Sequence, residues 1–114
     1  MRAELFEIAI PEERLTDLRS RLERVNWAPD FANDDWSYGV NGRYLKELLD
    51  HWLHKYDWRA QEAEMNTFPN FRVELEGIPI HFVHEHGKGP NPIPLILSHG
   101  WPWTYWDPRH VIGP

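Results

Sequence analysis

Apolar residues recur at spacings of three and four as far as Tyr56, and at every second position after Pro69. That change of period confines the chain to a helical first part and a strand-forming second part. Leu15, Leu18, Leu22 and Val25 lie on one helical stripe, with Asp17 and Arg21 paired on the polar side, so residues 11–24 are read as helix. Pro11 suits the first turn, and Glu12 and Glu13 suit the positive end of the dipole. Tyr44, Leu45, Leu48, Leu49, Trp52, Leu53 and Tyr56 predict a second helix whose apolar face is broad enough to meet two neighbours. Asp57 is placed to cap a shorter helix from Trp58 to Met65. Between the first two helices, residues 26–42 lose the pattern and read as a long loop anchored by Trp27, Trp36 and Tyr38.

Past Pro69, Phe71, Val73 and Leu75 alternate with charged residues, Glu76-Gly77 turns the chain, and Ile78, Ile80 and Phe82 alternate again. This is the pattern of a half-buried hairpin. A Gly- and Pro-rich loop at 87–92 leads to the apolar run 93–98, which predicts a strand covered on both faces. The fold class implied is α/β: residues 1–70 a helical meander, residues 71–114 the first strands of a sheet begun here and incomplete within this sequence. An apolar strand without partners invites aggregation, so marginal stability is expected of the chain alone.

Eighteen acidic residues against twelve basic ones, scattered along 114 residues, give a net charge of −6 and argue against a nucleic-acid partner. There is no Cys, which removes disulfides, thiolate catalysis and Cys-based zinc. The charged N-terminus lacks a signal-peptide core, and no apolar run reaches the roughly 18 residues of a membrane span. A cytoplasmic protein with no membrane anchor is expected. Seven Trp, four Tyr and five Phe read as packing surface.

Directly after the apolar run stands His99-Gly100-Trp101-Pro102. A strand that breaks into a tight turn can present a backbone N–H to an anion forming in a transition state. An aromatic residue before Pro is compatible with a cis bond, which would aim the Trp101 N–H inward. Gly100 is expected to supply backbone geometry that other residues resist, and His99 to hydrogen-bond the turn and hold it.

With this turn, the stretches Ile10 to Leu22, Trp36 to Gly39, Tyr44 to Leu48, Trp52, Tyr56 to Arg59, Glu62, Asn66, Phe68 to Phe71 and Gly77 to His84 appear in an order that resembles the N-terminal part of an epoxide hydrolase. The type resembled is the microsomal and juvenile-hormone one. The resemblance runs from about Phe6 to Pro114 and implies an α/β-hydrolase fold preceded by a meander that wraps the catalytic core and lid. It implies that an Asp opens a small apolar epoxide as an enzyme ester, with two lid tyrosines protonating the oxygen. A His supported by an acid then activates water against the ester, and no cofactor takes part. It also implies that Trp101 gives its backbone N–H to the oxyanion hole, supported by His99, Gly100 and Pro102.

The rest of that machinery is not found in the sequence. No Gly-x-Ser-x-Gly elbow occurs. Asp30 has small residues at ±2, but no apolar strand precedes it and Pro29 interrupts the turn; Asp57 and Asp107 have large residues there. Tyr105 and His110 lie too near the turn to serve as lid tyrosine or catalytic base. His81, His84, His86 and His99 are the candidate zinc ligands, yet no carboxylate or Cys stands at ligand spacing, so no metal is expected; the first three read as exposed hairpin and loop histidines, and His99 as part of the turn. Pro108 stands where the family has a helix-compatible residue, so a helix after the turn is tolerable only if it starts late. The expectation is an N-terminal segment of an epoxide hydrolase, inactive alone, whose partner is the remainder of the hydrolase core. A non-catalytic module docking on another hydrolase chain is an alternative, as is a haloalkane dehalogenase-like fragment, although the long meander argues against the latter.

Overall fold

A computed structural model describes residues 2–112. The chain divides into two units, one spanning Ile10–Trp58 and the other joining the segment up to Ala9 to the segment from Arg59 onward.

In the first unit, α1 (Glu12–Glu23) follows Pro11, whose carbonyl accepts from the Arg14 N–H at 2.9 Å. Leu15, Leu18 and Leu22 are half-buried, and α1 packs on α2 (Gly42–His54). The loop between them is built on asparagines. Asn33 donates to the carbonyls of Gly39 and Val40 and accepts from the Tyr38 N–H. Asn41 donates to the Asn33 carbonyl at 2.6 Å and caps α2 by accepting from the N–H groups of Arg43 and Tyr44. Asp30 reaches across twelve residues to accept from the Gly42 N–H at 2.6 Å. A Cβ on Gly42 would lie 2.6 Å from that same oxygen, so any larger residue there would displace the Asp30 carboxylate from the N–H.

In the second unit, α3 (Trp58–Met65) leads into a hairpin of β2 (Asn70–Leu75) and β3 (Ile78–Val83). Glu76 and Gly77 both have positive φ, 52° and 80°, as a two-residue hairpin turn of matching twist needs. Residues 1–70 are not helix and loop alone. Glu4–Leu5 forms β1, pairing antiparallel with Arg72 and Phe71 at the free side of β2. Asn66 extends the junction through reciprocal bonds with the Ile8 N–H (2.9 Å) and carbonyl (2.8 Å). Two residues are too few to show a period, and their pairing is with residues far along the chain.

The register sorts the sheet into two faces. Phe71 stands opposite Phe82, Val73 opposite Ile80 and Leu75 opposite Ile78, whereas Arg72 stands opposite His81 and Glu74 opposite Pro79. On the first face Leu5, Leu75, Ile78 and Ile80 remain open to solvent. The run 93–98 forms no strand among the described residues, contrary to expectation; Ile93 is 90% exposed and Ile96 91%. Its composition suits a strand, but a strand exists only by its ladder, and no described residue supplies one.

Among the described residues no apolar side chain is buried, while Asn33, Asn41, Glu62 and Asn70 are. Polar pins to the backbone therefore set the local conformations, with Glu62 paired to Arg59 at 2.6 Å. No helix among the described residues is long and apolar enough to cross a membrane.

Candidate functional site

The turn forms where the sequence places it. The Trp103 N–H donates to the Gly100 carbonyl at 2.8 Å, and the Trp101–Pro102 bond is cis. Pro102 thus occupies the third position of a four-residue turn, the arrangement that defines the cis-proline type. Among the described residues no acceptor meets the Trp101 N–H, and the residue is 96% exposed. Such an N–H can serve as one donor to an oxyanion.

Gly100 departs from expectation. Its backbone is not left-handed, and a Cβ there would meet nothing within 4 Å. It occupies the first turn position, where φ is unrestricted, so the turn itself makes no demand for glycine. His99 contacts the Gly100 carbonyl through Nδ1, at 3.4 Å and exposed to solvent.

After the turn, the Thr104 N–H donates to Asp107 Oδ2 at 2.6 Å, and Thr104 Oγ1 accepts from the Trp106 N–H at 3.2 Å. The Asp107 N–H also donates to the Thr104 carbonyl at 3.2 Å, which completes the local set of bonds. This set closes residues 104–107 into a turn ahead of α4 (Arg109–Ile112). Pro108 therefore precedes the helix instead of interrupting it, and its missing N–H costs no intrahelical bond.

His81 is not an exposed hairpin histidine. Its Nε2 lies 2.9 Å from Asn70 Oδ1. Asn70 Nδ2 donates to the carbonyls of Met65 and Phe68, both at 2.9 Å, so Oδ1 must accept and His81 Nε2 must carry the proton. Burial pushes the His81 pKa down from its ordinary value. The Tyr105 ring meets His81 edge-to-face at 4.5 Å, and Phe6, just after β1, meets it at 5.5 Å. The Tyr105 hydroxyl is buried with no partner among the described residues, and burial raises its pKa. His84 and His86 have ring centres 4.8 Å apart, and no group of three or more His, Asp or Glu able to hold a metal occurs among the described residues. Of the weighed acids, Asp30 is engaged with the α2 N-terminus and Asp107 with Thr104.

The sequence reading missed the support beneath the turn. The Thr104-x-x-Asp107 spacing was a legible signal for a side-chain-closed turn; the ring of Tyr105 on His81 had none, because it joins separate stretches of sequence.

Residues 3–108 match the family described as the epoxide hydrolase N terminus. The chain belongs to that family. Among its relatives, juvenile hormone epoxide hydrolase 2 of Ctenocephalides felis is 38% identical over 110 residues, covering 94% of this chain and 24% of the relative. Epoxide hydrolase 1 of Oryctolagus cuniculus is 35% identical over 111 residues, with the same coverage of each chain. The solved structure of an enantioselective epoxide hydrolase mutant from Aspergillus niger superimposes with a TM-score of 0.90 at 31% identity, over 97% of this chain and 30% of that one. This epoxide hydrolase N-terminal segment thus spans about a quarter of the length of the curated relatives it matches. Its helices and three-stranded antiparallel sheet are the opening elements of an α/β-hydrolase.

Proposed function

We propose that this chain is the N-terminal part of an epoxide hydrolase, converting apolar epoxides and water to vicinal diols, and that its chemical contribution is the Trp101 N–H. The carrying observation is the closed turn from Gly100 to Trp103, which leaves that N–H without an acceptor among the described residues. In the reaction proposed, an Asp supplied by the rest of the hydrolase opens the epoxide and becomes an ester. Lid tyrosines protonate the oxygen, and a His–acid pair activates water against the ester carbonyl. The tetrahedral intermediate puts negative charge on the carbonyl oxygen, where the Trp101 N–H donates. One such donor is worth about 10²–10³ in rate. His99 and Pro102 support the turn, and a cytoplasmic setting and the absence of any cofactor belong to the same proposal.

The open apolar faces belong to this reading too. Leu5, Ile78 and Ile80 on the sheet are positioned to be covered by the remaining hydrolase core. A non-catalytic module docking on a separately encoded hydrolase chain draws on the same observation. The test is diol formation from a styrene-type epoxide. The polypeptide isolated from its source cells is expected to form diol, and the 114-residue chain alone to form none. Diol from the short chain would overturn the assignment of the nucleophile to the rest of the core.

A further inference from the structure

We propose that Tyr105 and Trp106 are positioning residues for the Trp101 turn, acting through His81 and Phe68. The proposal deepens the reading of Trp101 as an oxyanion donor, and rests on it for its functional meaning. A donor works only if held where the charge develops, yet the turn has little hold of its own. Trp101 and Trp103 are exposed, His99 touches only its neighbour, and residues 84–98 leading to the turn form no strand among the described residues.

The segment after the turn is fixed. The bonds of Thr104 with Trp106 and Asp107 make residues 104–107 a single closed turn directly attached to Trp103. Two adjacent rings leave that unit for separate supports. Tyr105 bears edge-to-face on His81 of β3 at 4.5 Å, and Trp106 on Phe68 at 5.5 Å and 87°. Asn70 ties the two supports together, because the side chain that accepts from His81 also donates to the Phe68 carbonyl. At 3% exposure it is a buried tie. Arg109 closes the arrangement from the far side, its guanidinium 5.3 Å over the Trp106 ring and donating to the Trp106 carbonyl. One contact would leave the turn free to rotate; two from neighbouring residues fix both its place and its orientation on the hairpin. Tyr105 contributes its ring, since its hydroxyl has no partner among the described residues.

The test is the orientation of backbone N–H vectors, measured as residual dipolar couplings on the full ¹⁵N-labelled polypeptide to which this chain belongs. Couplings of Gly100, Trp101 and Trp103 are expected to fit the same alignment as the β2–β3 amides. In Tyr105→Leu, and in parallel Trp106→Leu, they are expected to fall at least twofold while the hairpin couplings persist; Tyr105→Phe is expected to retain them. Should one leucine variant lose the hairpin, the other decides. Turn couplings unchanged in the leucine variants, or already averaged near zero in the parent, would overturn the proposal. Because the measurement needs no turnover, its failure leaves the epoxide reading standing, and failure of that reading leaves the couplings interpretable.

Discussion

Asn70→Leu isolates the buried side-chain tie at the base of the hairpin. The Asn70 side chain makes three hydrogen bonds, two to the carbonyls of Met65 and Phe68 and one from His81 Nε2, each at 2.9 Å. Leucine conserves bulk and removes all three partners at once. At a net of about 1 kcal/mol per bond the loss is about 3 kcal/mol. Leaving three polar groups unpaired beneath a buried side chain works in the same direction, while water reaching the half-buried His81 moderates it. Urea unfolding followed by tryptophan fluorescence reads the effect. With a slope of about 1–3 kcal/mol/M, the midpoint is expected to move down by about 1–3 M with the slope unchanged. A shift below about 0.3 M at constant slope would refute the reasoning, because it would mean that water replaces Asn70 at no cost.

Acid should weaken the same region. The folded His81 pKa is lowered by burial, so the unfolded chain takes up its proton first. The stability due to neutral His81 is therefore complete above about pH 6.5, the unfolded value. It is lost as pH falls through the lowered folded value, a dependence that stability measured across that range should show and His81→Phe should flatten. Gly42→Ala is expected to cost about 1–2 kcal/mol by displacing Asp30 from the α2 N-terminus. Asp30→Ala should cost a similar amount, and the double variant should cost little more than either, as a double-mutant cycle by thermal melting would show. Glu76→Asn is expected to stabilise the hairpin by about 0.5–1 kcal/mol, because Glu76 holds a left-handed φ of 52° that asparagine tolerates better. An unchanged or lowered melting temperature would contradict that.

The elements that repeat were readable: the helices at 12–23, 42–54 and 58–65 and the hairpin about Glu76-Gly77 all follow from period and turn chemistry. Elements defined by distant partners were not. β1 is two residues long and has meaning only against Arg72 and Phe71. Residues 93–98 have the composition of a strand without its ladder. Asn33, Asn41, Asn66 and Asn70 read locally as loop chemistry, yet each holds backbone groups whose position only the fold determines. At the site the turn was legible as a motif, down to its cis bond. The seating of that turn was not, because Tyr105 on His81 and Trp106 on Phe68 each join residues more than twenty apart.

The central claim is that this chain supplies an oxyanion donor to a nucleophile carried by the rest of an epoxide hydrolase. Its most direct test is the intact mass of the polypeptide from its source cells, taken immediately after brief exposure to excess styrene-type epoxide. The account predicts a species several times heavier than 13.7 kDa, increased by the mass of one epoxide held as an ester. A 13.7 kDa species, or a larger one whose mass the epoxide leaves unchanged, would contradict it.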